Sequence, residues 1–132
     1  MLLDLLTKDE KHLFLDLAAH MTKADGTILE SESLELKIMT NEMGKEAKDH
    51  LAKDVNDAVK ELGKSSTKIQ RIVLLNLIVL SLSDDFYHTE EHLVIEELLE
   101  TWNISAKKKA ELFKLVYNYK DLREKAKLVV SA

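Results

Sequence analysis

Apolar residues recur along this chain at intervals of three and four positions, which is the spacing of one face of an α-helix. The pattern predicts about seven helices joined by short loops. Their approximate ranges are 8–24, a second helix ending at 43, then 45–62, 67–82, 88–102, 106–119 and a short last helix ending near 130. The predicted fold class is therefore all-α.

Short polar signals mark the expected ends of these helices. The segment Thr7-Lys8-Asp9-Glu10 has the capping-box pattern that begins a helix. Gly44 suits the left-handed position that follows a helix, and Ser65 or Ser66 suits the cap of the next apolar helix. Asp121 is expected to cap a separate last helix.

The most apolar segment, residues 69–82, is apolar on nearly all sides, so we expect it to form the central buried helix. As a helix it would be about 21 Å long, which is shorter than the roughly 30 Å core of a bilayer. Gln70, Arg71 and Asn76 also interrupt it. We therefore expect no membrane span.

The two halves of the chain are similar when one is shifted by 59 residues. In each half an apolar helix is followed by an acidic turn and then by a helix that opens with a glutamate. The aligned pairs are Leu15–Leu74, Ala18–Leu77, Met21–Leu80, Asp25–Asp84, Glu32–Glu91, Leu36–Ile95, Met39–Leu98 and Met43–Trp102. The pattern predicts two helix–turn–helix halves packed around the central helix.

The two repeated glutamates carry the candidate chemistry. Glu32 and Glu91 lie on the core-facing stripe of their helices, where an unpaired carboxylate is costly. Each follows its aspartate, Asp25 or Asp84, by seven residues, so each Asp–Glu pair should meet at its turn. Two interpretations stay open: a site for Ca²⁺, Mg²⁺ or Mn²⁺, and turns braced by ordinary hydrogen bonds to backbone amides.

The segment Ala24-Asp25-Gly26-Thr27-Ile28, followed by Glu32, resembles the repeated signature of the TerB-like family. That family includes the tellurite-resistance protein TerB and domains attached to the co-chaperone DjlA. The second occurrence is Ser83-Asp84-Asp85-Phe86-Tyr87, followed by Glu91, and the resemblance spans roughly residues 10–104. It implies an all-helical fold, two acidic clusters proposed to bind a divalent metal, and a role in stress response or as an adaptor for other proteins.

When the acidic positions of the family motif are transferred to this sequence, the resemblance implies two clusters: Asp25 with Glu32, and Asp84 with Glu91. The second copy departs from the family pattern, because Asp85 stands where a glycine is expected. Asp85 and the nearby His88 are candidate additional metal ligands. The alternative is that the second half has lost the role.

The segment His88-Thr89-Glu90-Glu91-His92 also matches the H-x-x-E-H pattern of zinc peptidases. In that interpretation His88 and His92 would bind zinc and Glu91 would be the base. The match begins at the expected start of a helix and lacks a third zinc ligand. It is therefore a remote alternative, and we predict no catalytic residues.

Composition narrows the choice of partner. The net charge is −5, but residues 1–104 carry 11 basic and 21 acidic side chains, whereas residues 105–132 carry 8 basic and 3 acidic. The acidic body argues against nucleic-acid binding. The chain has no cysteine, which excludes disulfides and thiolate zinc sites, and its start lacks the features of a secretory signal. We expect one cytoplasmic domain, residues 1–132, as a monomer or homodimer.

Taken together, the sequence predicts a non-enzymatic binding or adaptor module of stress response, with a divalent cation at its acidic turns and an unidentified protein partner. A second hypothesis is a purely structural interaction domain that binds no metal. In that case the acidic residues only brace turns, and the basic C-terminal helices or helix 45–62 dock the partner. The third hypothesis is a zinc hydrolase that uses His88, Glu91 and His92.

Overall fold

The computed structural model describes residues 1–22, 30–47, 54–83 and 89–132, leaving out the side chains of residues 30–33. Over these ranges the chain is helical and contains no strand, which confirms the all-α class. The helices are α1 (Lys8–Thr22), α2 (Glu30–Met43), α3 (Val55–Leu62), α4 (Thr67–Ser81), α5 (Thr89–Thr101) and α6 (Ala106–Ser131), and two short 3-10 turns cover Leu3–Leu5 and Gly44–Ala47.

Several helix ends follow from the local signals. The backbone N–H of Thr7 donates to Glu10 Oε1 at 3.0 Å, and the N–H of Glu10 donates to Thr7 Oγ1 at 3.2 Å. This reciprocal pair is the predicted capping box. Ser66 Oγ accepts from the N–H of Ile69 at the start of α4, and Gly44 has the left-handed φ of 78° that lets α2 end there.

The third predicted helix was too long at its start. Residues 44–47 form a 3-10 turn instead, because the left-handed backbone at Gly44 turns the chain out of α2. Among the described residues, α3 begins at Val55, where Asp54 caps it by accepting from the N–H of Asn56 at 2.7 Å. Residues 48–53 of the predicted helix lie outside the described residues.

The prediction of two separate C-terminal helices was wrong. Ala106–Ser131 is one continuous helix of 26 residues, so the described part of the chain contains six α-helices where seven were expected. Asp121 lies in its interior with an exposed side chain, where an aspartate costs only about 0.7 kcal/mol relative to alanine. A tie between α6 and α2, described below, holds the second half of the helix against the body.

Helix α4 forms the centre of the molecule, as its apolar pattern predicted. Every residue from 72 to 80 is buried, and the helix packs against α1, α2, α5 and α6. Helix α3 packs on the outside of α1. None of the described helices combines the length and the apolar character needed to cross a membrane.

The polar side chains of α4 are hydrogen-bonded inside the protein. Gln70 Nε2 donates to the carbonyls of Leu62 and Gly63 at 3.1 and 3.2 Å, which ties the end of α3 to the start of α4. Asn76 is fully buried, and its Nδ2 donates to the carbonyls of Ile72 and Met1, each at 2.8 Å. These bonds offset the cost of removing two amides from water.

The helix bounds follow the 59-residue spacing of the sequence repeat. Helix α4 begins and ends 59 residues after α1, and α5 begins 59 residues after α2. Helices α1 and α4 also end alike. The Thr22 hydroxyl donates to the Ala19 carbonyl at 3.2 Å, and the equivalent Ser81 hydroxyl donates to the Ile78 carbonyl at 2.9 Å.

The central position of α4 predicts where truncation destabilises the fold. Leu77 is fully buried, so Leu77→Ala should lower the free energy of unfolding by about 2–5 kcal/mol through lost burial and a cavity. Leu93 on α5 is 60% exposed, and Leu93→Ala should change it by less than about 0.5 kcal/mol. Urea unfolding of both variants measures the difference, and equal losses would contradict the assignment of α4 as the core helix.

Candidate functional site

Glu91 is the best-described residue of the predicted site. It lies in the first turn of α5, and its side chain is fully buried. On the same stripe, Ile95 is also fully buried and Leu98 is 2% exposed. The spacing argument predicted this inward orientation. Burial removes water from the carboxylate, so its charge has to be balanced by hydrogen-bond donors or by a cation.

The other predicted ligands can be placed only in part. Asp25, Asp84, Asp85 and His88 lie outside the described residues, and Glu32 is described only as a backbone position within α2. The meeting of each Asp–Glu pair therefore stays a prediction. Within the described ranges, no three acidic or histidine side chains are grouped so that they could hold a metal ion.

A small cavity of about 150 Å³ lies at the C-terminal end of α4. In the sequence, this end of the helix is followed directly by the acidic pair Asp84-Asp85. Ser83, the last described residue before Asp84, lines it together with Val79 of α4. Helices α2 and α6 supply the other walls, which are formed by Leu34, Glu35, Tyr119, Lys120, Arg123, Glu124 and Lys127. Helices α2 and α6 thus bring charged side chains to the end of α4.

An ion pair that the sequence analysis missed crosses this cavity. Arg123 Nη1 of α6 donates to Glu35 Oε1 of α2, and the Glu35 side chain is only 11% exposed. The guanidinium also lies 5.5 Å from the ring centre of Tyr119, which is within the range of a cation–π contact. The partners are 88 residues apart, and no spacing rule in the sequence connects them.

The ion pair stabilises the charged form of Arg123 at the C-terminal end of α4. Burial by itself would lower the pKa of Arg123, but the hydrogen bond and the negative charge of Glu35 outweigh it, so the pKa is raised. An arginine is charged throughout the ordinary pH range, and Glu35 stabilises that charged form further. Arg123 supplies a permanent positive charge beside the C-terminus of α4, where the helix dipole favours cations.

The geometry gives little support to a zinc site of the H-x-x-E-H type. His92 Nε2 lies 3.3 Å from Glu96 Oε1 on the partly exposed side of α5, and Lys109 of α6 also binds Glu96. Glu91 is buried in the core. The described residues therefore place the proposed base and one proposed ligand in different environments, and His88 lies outside those residues.

Comparisons with protein-family models, with curated proteins and with solved structures found no match to this chain. The TerB-like resemblance therefore rests on the two short acidic motifs and their spacing. The fold and the buried glutamate are independent of it.

The Glu35–Arg123 ion pair predicts an asymmetric response to mutation. Arg123→Ala leaves the Glu35 carboxylate nearly buried without its cation, and should lower the free energy of unfolding by about 1–2 kcal/mol. We expect less than the 3–5 kcal/mol of a fully buried pair because the Arg123 side chain is 35% exposed and partly screened by water. Chemical denaturation measures the loss.

Two further variants test whether the loss comes from an unbalanced charge. Glu35→Gln combined with Arg123→Met should cost less than Arg123→Ala alone, because no charge is then left behind. Lys127→Ala removes an exposed lysine of the same helix, whose Glu124 partner is also exposed, and should change stability by less than about 0.5 kcal/mol. If the double variant had a lower free energy of unfolding than Arg123→Ala, this account would be refuted.

Proposed function

We propose that this protein is a non-enzymatic binding module of the TerB-like type, an adaptor that binds a divalent cation at its acidic turns. One observation carries the proposal: the Glu91 side chain is fully buried in the first turn of α5, seven residues after Asp84 and six after Asp85 in the sequence. A buried carboxylate that follows two others so closely in the sequence is typical of oxygen-rich cation sites.

The two-fold repeat supports a second, equivalent site in the first half. Helices α1 and α2 are spaced from α4 and α5 by the same 59 residues. Two aligned core pairs also match in burial, since Ala18 and Leu77 are both fully buried and Met39 and Leu98 are both 2% exposed. Leu15 and Leu36 are only partly buried, whereas their counterparts Leu74 and Ile95 are fully buried. By this equivalence, we expect Glu32 to face inward from the first turn of α2.

The charge distribution favours a cation over an anion at these turns. Each turn follows the C-terminus of an apolar helix, α1 or α4, where the helix dipole presents its negative end. The proposed ligands are carboxylates, and the body of residues 1–104 is strongly acidic. Oxygen ligands of this kind select Ca²⁺, Mg²⁺ or Mn²⁺ over softer metals.

A structural interaction domain without a metal is the second candidate. In its favour, the described residues show an ion pair that holds α2 and α6 together through Glu35 and Arg123 without a metal. Glu91 would then be held by backbone donors near the start of α5, where the dipole favours a negative charge. The role in stress response follows from the TerB-like resemblance alone.

A metal-dependent melting experiment separates these candidates. Calcium, magnesium, manganese and zinc are titrated one at a time into the metal-free protein. An ion that binds only the folded state should raise the melting temperature by about 5–15 °C at a hundredfold excess over its Kd. Glu91→Gln should abolish the rise, whereas Glu97→Gln, on the exposed side of the same helix, should keep it.

Each outcome points to one interpretation. Indifference to every ion, with no metal in elemental analysis of the purified protein, favours the structural candidate. A rise that survives in a folded Glu91→Gln protein places the cation elsewhere and refutes the proposed site. A response to zinc alone that is lost in His92→Ala would favour the H-x-x-E-H interpretation. Circular dichroism confirms that each variant is folded.

A further inference from the structure

An open apolar groove of about 330 Å³ lies between the N-terminal halves of α4 and α6. Ile72 and Leu75 of α4 and Leu112 of α6 are nearly buried and form its floor. Leu2 and Leu115 are about half exposed, at 51% and 48%, and complete the apolar lining. Pockets for small molecules have a similar size and a similarly apolar lining, with a few polar groups at defined positions.

The charged groups of this groove are cations. Lys68 and Arg71 of α4 line it together with Thr67, and no carboxylate of the described residues does so. Both cations are exposed, and within the part of the chain that the structure describes neither forms an ion pair. Two unpaired cations beside an apolar floor favour a ligand that joins an anionic group to an apolar body.

The directions of α4 and α6 add to the positive potential at this groove. Residues 112–115 of α6 lie beside residues 72–75 of α4, and residues 119–127 lie beside residues 79–83. The two helices therefore run in the same direction, with their N-termini at one end of the molecule. Neither has an acidic residue in its first turn, and α6 has lysines at 107–109. The helix dipoles thus favour a negative charge at the same end as Lys68 and Arg71.

The backbone at Leu2 is unusual for its residue type. Its φ is 63°, in the left-handed region that a bulky side chain seldom adopts. Contacts on both sides hold this conformation: Asn76 Nδ2 donates to the Met1 carbonyl at 2.8 Å, and the Leu3 N–H donates to Glu42 Oε1 at 2.9 Å. The N-terminal segment therefore keeps the side chain of Leu2 at the groove instead of in the core.

We propose that this groove binds a medium-chain fatty acid, a single apolar chain that ends in a carboxylate. The alkyl chain lies on the floor formed by Ile72, Leu75 and Leu112. The carboxylate is bound by Arg71, whose guanidinium can donate two parallel hydrogen bonds to it, and Lys68 adds a second positive charge. Binding involves no covalent step.

The shape of the groove favours a free fatty acid over a bilayer or a partner helix. Its floor lies between two helices that pack on each other, set back from the surface that a flat membrane would touch. The floor covers one turn of each helix, whereas a bound amphipathic helix uses anchors over two turns. Along α4 the groove extends from residue 67 to residue 75, about 12 Å, which is the length of an extended medium-chain fatty acid.

Binding should be moderate in strength, because the groove is open to solvent along one side. We expect a dissociation constant of about 0.1–1 mM for decanoate. A fully buried methylene strengthens binding about fourfold, so in this open groove two further methylenes should lower the dissociation constant about three- to tenfold. The groove lies at the opposite end of α4 from the acidic turns, so its ligand is independent of the proposed cation.

Calorimetric titration of the metal-free protein with hexanoate, octanoate and decanoate tests the proposal. The dissociation constant should fall with each increase in chain length. Decyltrimethylammonium has an equally long chain with a cationic head, and should bind at least about 10-fold more weakly than decanoate. Methyl NMR locates the chain, since the resonances of Ile72, Leu75 and Leu112 should shift when decanoate is added.

A matched pair of leucine variants tests the apolar part of the site. Leu115 lines the groove, whereas Leu122 is an exposed leucine of the same helix two turns further on and outside it. Leu115→Glu should raise the dissociation constant for decanoate at least about 10-fold, because it places a carboxylate beside the chain. Leu122→Glu makes the same change in charge and should leave the constant unchanged.

A second matched pair tests the cationic part. Lys68→Glu combined with Arg71→Glu should raise the dissociation constant for decanoate at least about 10-fold. Lys125→Glu combined with Lys127→Glu changes the net charge equally, but Lys125 lies 10 residues beyond the groove residue Leu115, about 15 Å along α6. At physiological salt this exceeds the screening length, so the constant should stay within about threefold.

Four results would overturn the proposal. They are an absence of decanoate binding, affinities that do not depend on chain length, equal binding of decyltrimethylammonium, and binding that survives in folded Leu115→Glu and in the charge-reversed Lys68/Arg71 protein. Cosedimentation of the protein with phosphatidylglycerol vesicles that is lost in Leu115→Glu would assign the surface to a membrane and also overturn it. Circular dichroism checks that each variant is folded.

Discussion

Burial of α4 on nearly all sides is the constraint on which the rest of the structure depends. A helix with no polar face can exist in water only if other helices cover it, and α1, α2, α5 and α6 do so. Its two buried amides, Gln70 and Asn76, bind backbone carbonyls at the edges of the core.

Two of the carboxylates that this fold buries are Glu35 and Glu91, and Glu35 is paired at the C-terminal end of α4. Helices α2 and α5 bring the carboxylates of Glu35 and Glu91 into buried positions, and α6 brings the guanidinium of Arg123. Carboxylates that leave water need a partner of opposite charge or several donors. Glu35 is balanced by Arg123, which comes from a distant part of the chain. The proposed cation would balance the charge of Glu91 in the same way.

The long α6 helix gives the molecule two different surfaces. Its first half packs on α4 through Leu112 and Val116, whereas its second half is attached to the body mainly through Arg123. A helix that continues beyond the body it covers leaves an apolar flank in solvent, and that flank adjoins the groove beside Ile72 and Leu75. The first half of α6 thus belongs to the core, whereas the second half presents apolar side chains to solvent.

The sequence alone determined the fold class, the central helix, several caps and the inward face of Glu91, because these depend on periodicity and on contacts between residues three or four positions apart. It predicted a break at Asp121 that does not occur, since a single helix-breaking preference of under 1 kcal/mol is outweighed by continuity and by tertiary contacts. Only the tertiary structure decided that Glu35 meets Arg123 and that Leu112 and Leu115 of α6 border a groove beside Ile72 and Leu75 of α4. Those contacts join residues far apart in the chain, and they depend on how helices pack, which local patterns do not encode.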